Sequence, residues 1–165
     1  MSDKHTETSI QYKLWRELEQ GRGHRPVAPN VFMPNWSECD MVSVTKSSAW
    51  WEFEIKISRS DFKADTEKDM PNGWHGPRTN KHTALHEKTG RGPGRFIYVT
   101  PPGLVTPAEV PAFAGLWEVG HGYRLREIVP APKLHSLKLT TEEIAKLYVT
   151  LYWRYWSLRK KQYDV

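Results

Sequence analysis

The sequence predicts one α/β domain. Its 165 residues are the length of a single domain. Helical and strand-like hydrophobic periods alternate in the order helix, strands, helix, helix, strand, strands, helix. No internal repeat or low-complexity segment interrupts that order. A chain of this size buries roughly 70% of its unfolded surface, so it needs neither disulfides nor metal to fold.

Each element has a local reason. Residues 9–20 read as a helix because Ile10, Leu14 and Leu18 recur every four positions, and Gly21 and Gly23 end the pattern. Pro26, Pro29 and Pro34 make residues 21–38 a loop, with a short extended piece around Val31 to Met33. Residues 40–45 alternate and are rich in β-branched side chains, and residues 49–57 form the clearest strand. Trp51, Phe53, Ile55 and Ile57 share one face of that strand, and Trp50, Glu52, Glu54 and Lys56 share the other. Ser58 and Asp61 have capping-box spacing, with an acid in place of the usual Glu, for a short helix to about Lys68. Pro71, Gly73, Gly76 and Pro77 place an exposed loop over residues 69–80. A helix over 81–88 ends at Gly90, residues 95–100 are a strand stopped by Pro101-Pro102-Gly103, and residues 114–119 and 123–129 form a hairpin across Gly120-His121-Gly122. Thr140 to Glu143 cap a long last helix with the stripe Ile144, Leu147, Tyr148, Leu151, Tyr155 and Leu158.

Composition narrows the function. Hydrophobic residues make up 38% and charged residues 26%, with a mean hydropathy of −0.67, which is polar but globular. Lys and Arg total 24 against 19 acids, giving +5 and a pI near 9.3, so a nucleic-acid partner is favoured. Cys39 is the lone cysteine, which excludes an intramolecular disulfide framework and fits a reducing cytoplasm. No apolar run approaches the roughly 20 residues of a membrane span, and the polar N-terminus does not read as a secretory signal. Eight Trp, seven Tyr and five Phe are a heavy aromatic load, mostly for the core.

The chemistry concentrates at Asp40 and at Glu54-Ile55-Lys56. Glu54 and Lys56 project from one strand face, and Asp40 opens the preceding strand of an antiparallel pair. Two neighbouring carboxylates repel unless a cation lies between them, and hard oxygen donors suit Mg²⁺ or Mn²⁺. The alternative is an ordinary exposed charged face, with Glu and Lys forming a pair worth ~0.2–1 kcal/mol.

Context adds to this short pattern. The run Glu54-Ile55-Lys56-Ile57-Ser58-Arg59-Ser60-Asp61-Phe62, with Asp65, Lys68 and Lys81-His82, is followed by Arg95 to Pro101, Gly103-Leu104 and Ala114-Gly115-Leu116. In that order these residues resemble the PD-(D/E)XK nuclease superfamily, and look closest to small MmcB-like DNA-repair proteins and their phage-encoded cousins. The resemblance spans residue 40 to about 119, roughly half the chain. It implies a restriction-endonuclease-like core, a mixed central β-sheet flanked by helices. It implies Asp40 and Glu54 as metal ligands, the Ile55 main-chain oxygen as a further one, and Lys56 as the catalytic lysine. Cys39 stands where the family's Pro precedes the first Asp, which weakens the recognition more than the chemistry.

Many members add a carboxylate from the first helix. At 100° per residue Glu17 falls within about 20° of Ile10, so it is the candidate, a partly exposed stripe edge being the alternative. Glu52 is expected to face solvent or to lie behind the site. Arg59, Lys63, Lys68, Arg78, Lys81 and His82 are expected to form a rim on the phosphate backbone of DNA. His75, His82 and His86 offer a zinc alternative that lacks enough ligands of the right kind. Gly90 to Gly94 lacks the Lys-Ser/Thr of a phosphate-binding loop. Arg154, Arg159, Lys160 and Lys161 among Tyr152, Trp153, Tyr155 and Trp156 are either a cation-favouring helix end or a DNA-contact strip. The expected function is therefore a Mg²⁺-dependent DNA endonuclease, with Mn²⁺ substituting, in DNA repair, recombination or phage DNA processing. It is expected in the bacterial cytoplasm, with DNA as partner, no membrane, and a homodimer compatible with the sequence. The second reading is a nucleic-acid-binding module on the same fold that does not cleave, and the third an assembly factor.

Overall fold

The computed structural model describes residues 5–65, 69–70, 79–88, 92–122 and 124–163, with residues 69–70 described by backbone alone. Helix α1 (Glu7–Trp15) opens with a reciprocal cap: the Thr6 hydroxyl accepts from the Ser9 N–H at 3.2 Å, and Ser9 Oγ accepts from the Thr6 N–H at 3.0 Å. The helix continues over Arg16–Gly21 with π-helical turns. The predicted stripe Ile10, Leu14 and Leu18 is fully buried.

Strands β1 (Val27–Phe32), β2 (Glu38–Val44) and β3 (Trp50–Ile55) form an antiparallel meander. Helix α2 (Arg59–Ala64), the short pair β4 (Asp69–Met70) and β5 (Thr79–Asn80), and helix α3 (Lys81–Glu87) follow. The chain then adds β6 (Arg95–Thr100) parallel to β3, β7 (Ala114–Val119) parallel to β6, and β8 (Leu125–Val129) antiparallel to β7. The result is a mixed six-stranded sheet in the order β1-β2-β3-β6-β7-β8. Helix α4 (Thr141–Tyr163) closes the chain, its Thr140 hydroxyl accepting from the Glu143 N–H at 3.2 Å.

The sheet is the middle of three layers. Met41, Phe53, Ile55, Ile97, Val99 and Trp117 share one face with Ile10 and Leu14 of α1 and Leu18 of its π-helical continuation. Val42, Trp50, Phe96, Tyr98 and Leu116 share the other with Ala84 and Leu85 of α3 and Leu147 of α4. Phe62 of α2 packs edge-on against Tyr98 there, with ring centroids 5.1 Å apart. Both faces of β3 are therefore covered, as parallel pairing with β6 through a helical crossover requires. Close approach at β7 needs Gly115, where a Cβ would lie 2.7 Å from the Ala131 Cβ.

Two expectations change here: Asp69–Met70 and Thr79–Asn80, expected within a loop, pair as short antiparallel strands, and the edge of the main sheet differs as well. Residues 27–32 are a strand despite Pro29, because β1 is a sheet edge and, among the described residues, pairs with β2 alone. Among the described residues no helix is long and apolar enough to cross a membrane.

His24, just before β1, is buried with Nδ1 2.9 Å from Ser43 Oγ and its ring edge-on to Trp51. Burial, with the Arg22 charge adding to it, lowers its pKa from 6.5 to about 4. The unfolded chain takes up this proton near pH 6.5 and the folded chain only near 4. Stability is therefore full above the upper value and falls as the pH drops between the two, by about 2–3 kcal/mol. Urea unfolding at pH 7 and 4.5 checks this: His24→Gln is expected to lose much of the difference seen in the wild type.

Candidate active site

The site lies where β3 ends beside the parallel strand β6. One position beyond the last β2–β3 pair, Met41 with Phe53, Asp40 turns its carboxylate to the third strand. Its Oδ2 accepts the Ile55 N–H at 2.8 Å, which seats Asp40 directly against Glu54-Ile55-Lys56. The Lys56 N–H in turn donates to the Val99 carbonyl at 3.0 Å, so both neighbouring strands hold the tripeptide by its backbone.

Glu54 and Lys56 share the face covered by α2 and α3, and both are buried. Lys56 Nζ lies 3.1 Å from Glu54 Oε1, 2.9 Å from Asp65 Oδ1 and 3.6 Å from Asp61 Oδ1. Asp61 is positioned by the predicted cap: Ser58 Oγ accepts from the Asp61 N–H at 3.2 Å at the start of α2. Asp65, at the C-cap of α2, receives the Tyr98 hydroxyl at 2.6 Å, with His82 Nε2 2.8 Å away. Burial alone would make the Lys56 ammonium easier to deprotonate. The charges of Glu54 and Asp65 outweigh that and hold its pKa above the ordinary lysine value. Burial likewise pushes against the Asp65 charge, but hydrogen bonds from His82 and Tyr98 and the Lys56 charge outweigh it and hold its pKa well below the ordinary carboxylate value.

Glu52 is completely buried, so of the two expected positions, facing solvent or lying behind the site, it takes the second. Its Oε2 accepts from Trp36 Nε1 at 2.7 Å and its Oε1 from Lys81 Nζ at 2.5 Å. Lys81 also donates to Glu54 Oε2 at 2.8 Å, and its Nζ lies 5.2 Å from the centre of the Phe96 ring. The ammonium thus fills the space between two carboxylates on one strand face. Burial works against its charge, and Glu52 and Glu54 overcome this and raise its pKa. Burial raises the pKa of Glu52, and Lys81 only partly offsets that.

Several expected site residues stand elsewhere. Lys81 is 0% exposed and reaches no phosphate, because Glu52 and Glu54 take its ammonium. His82 is bound to Asp65 rather than projecting as a rim group. Arg59 donates to both oxygens of Glu109, at 2.9 and 2.5 Å, and to the Leu104 carbonyl at 2.8 Å, tying α2 to the turn before β7. Lys63 is exposed on α2. Lys68 and Arg78, like His75, lie outside the described residues. Glu17 does not join the cluster: the π-helical turns change its phase, its Oε1 pairs with Arg22 Nε at 3.2 Å, and its helix covers the opposite sheet face from Glu54. His82 and His86 pack against Phe113, and no group of three His, Cys, Asp or Glu side chains among the described residues is placed to hold a metal.

An exposed stretch that is both basic and aromatic lies on α4. Arg154 donates to the main-chain oxygens of Pro29 and Asn30. Since Pro29 pairs with Met41 and Val31 with Cys39, Asn30 is level with Asp40. Beyond this anchor every described residue of the helix is exposed, including Tyr155, Trp156, Arg159, Lys160 and Lys161, and Trp153 just before it is 64% exposed. The aromatic and basic end of α4 therefore leaves the domain at the level of Asp40, on the sheet face that carries Glu54.

Donor chemistry decides what the cluster can hold. Asp40 and Glu54 carry hard carboxylate oxygens on two adjacent strands, the type that Mg²⁺ takes through one or two carboxylates while keeping several waters; Asp40 Oδ2 accepts the Ile55 N–H, and the two Glu54 oxygens accept from Lys56 and Lys81.

No protein-family model matches the chain. No curated protein matches it either. Among solved structures it is similar to the SPO1766 protein of unknown function from Silicibacter pomeroyi, with 18% sequence identity, a TM-score of 0.62, and 96% of this chain and 95% of that chain covered. At that identity the likeness shows the fold alone: a mixed β-sheet flanked by helices in an α/β arrangement.

Proposed function

We propose that the domain hydrolyses DNA phosphodiester bonds with the help of a divalent cation. The observation that supports this best is the seat of Asp40 against Glu54-Ile55-Lys56, with the Lys56 ammonium held charged beside Glu54. Asp40 and Glu54, with the Ile55 carbonyl, would hold Mg²⁺, and Mn²⁺ would substitute. A divalent ion held there supplies Lewis-acid polarisation of a phosphoryl oxygen and a bound water of lowered pKa. Lys56 presents a fixed positive charge to the negative charge that develops on the phosphoryl oxygens. Asp61 and Asp65 orient it, and Tyr98 and His82 hold Asp65 in turn. The buried lone Cys39 suits a reducing bacterial cytoplasm, and repair, recombination or phage DNA processing are the settings the residue pattern fits. Conversion of supercoiled plasmid to the nicked form in Mg²⁺, abolished by chelator, is the expected result. Intact plasmid in both Mg²⁺ and Mn²⁺ would contradict it.

DNA runs, in this reading, along α4 rather than over Lys81. Phosphate contacts release counterions, so log affinity falls linearly with log salt. Replacing Arg159, Lys160 and Lys161 with Ala is expected to lower that slope by about 2–3, at ~0.9 per contact. An unchanged slope would remove α4 from the DNA path. The second reading, a module that binds nucleic acid without cutting it, is favoured by the Lys81 ammonium on Glu54. Salt-sensitive binding without nicking would identify it.

A further inference from the structure

Lys81 is the first residue of α3 and, like Glu52, is completely buried. It lies 2.5 Å from Glu52 Oε1 and 2.8 Å from Glu54 Oε2, while Lys56 takes Glu54 Oε1 at 3.1 Å. Both carboxylate oxygens of the principal expected metal ligand thus face an ammonium group. Trp36 holds the far oxygen of Glu52 at 2.7 Å, so that carboxylate is fixed toward Lys81. Two buried carboxylates on one strand face need a cation, and the chain supplies its own.

We propose that Lys81 is a built-in counter-cation that competes with the divalent ion for Glu54, so that loading of the site requires the Lys81 ammonium to leave Glu54. The inference rests on the metal-dependent reading above and adds a gate to it. A divalent ion bound by Glu54 is repelled by a fixed ammonium on the same carboxylate, and in a buried site water does little to screen that repulsion. In the ion-free state Lys81 spares Glu52 and Glu54 from facing each other unscreened. When the ion binds, the ammonium retains Glu52 as its partner. The displaced charge therefore does not have to enter an apolar environment. Asn80, whose Oδ1 accepts from the Thr83 N–H at 3.1 Å, caps α3 independently of the ammonium, so the helix start does not depend on the Glu54 contact.

The test is Mn²⁺ binding, measured by calorimetry on wild type, Lys81→Met, Lys81→Gln and Asp40→Asn, with Glu54→Gln added to each Lys81 variant. The expected result is at least about tenfold tighter Mn²⁺ binding in both Lys81 variants, lost when Glu54→Gln is added. Equal affinity in wild type and the Lys81 variants, with loss in Asp40→Asn, overturns the gate and leaves the metal site standing. No Mn²⁺ binding to any of the folded proteins overturns the metal-dependent reading and the gate with it. If the Lys81 variants do not fold, the ammonium resonance of Lys81 in wild-type protein, followed by NMR during Mg²⁺ titration, decides. A shifted or broadened signal at saturating Mg²⁺ supports displacement, and an unaltered one overturns it.

Discussion

Lys56→Ala is expected to slow cation-dependent plasmid nicking by about 10²–10³-fold, the usual effect of removing one preorganised donor to developing negative charge. The same change also carries a stability cost. Lys56 is buried and compensates Glu54 and Asp65 at 3.1 and 2.9 Å, so its loss leaves carboxylates without their partner. Breaking a buried pair from one side costs about 3–5 kcal/mol. Rates are therefore compared per folded molecule, with circular dichroism giving the folded fraction. Mn²⁺ binding should persist, because the ammonium is not a ligand. An undiminished rate in a preparation free of other nucleases would remove Lys56 from the chemistry.

The largest expected effect on stability is at Lys81. Lys81→Met keeps most of the side-chain volume and removes the charge between Glu52 and Glu54. Urea unfolding should show a loss of about 3–5 kcal/mol. Adding Glu52→Gln should recover part of that loss, since the neutral amide no longer repels Glu54, and the double-mutant cycle should give a coupling above about 1 kcal/mol. A loss below 1 kcal/mol, or strict additivity, would mean that Lys81 does not hold the two carboxylates together.

The contrast between Lys56 and Lys81 shows how much of the site is legible from sequence. Glu54 and Lys56 are two apart on a strand, so period-two alternation alone puts them on one face. Lys81 reaches the same carboxylate from the start of α3, after a connection whose length carries no register, and the topology alone brings it there. Glu52 was readable as a neighbour of Glu54 on that face, but its burial depends on Trp36 and α3 closing over the strand. The sequence signal that was available is an acid flanked by Trp51 and Phe53 in a strand covered on both sides. Glu17 fails for a different reason: the 100° step holds only while the helix is α, and the turn widens at Arg16. The fold is read more evenly. Strands β6 and β7 fall at 95–100 and 114–119 as the periodicity predicts, since Pro/Gly stops and aromatic-rich runs bound them. β1 escapes because its prolines signal a loop, and only the sheet order reveals that its outer edge has no partner strand among the described residues.

The central claim is that Asp40, Glu54 and Lys56 form one centre for cation-dependent cleavage of DNA. Single-turnover nicking of supercoiled plasmid by wild type and by Glu54→Gln, across one Mn²⁺ series, tests it most directly. The account predicts cleavage that rises with Mn²⁺ in the wild type and falls at least about 10²-fold in the folded variant at every concentration. Equal rates in the two proteins would contradict it.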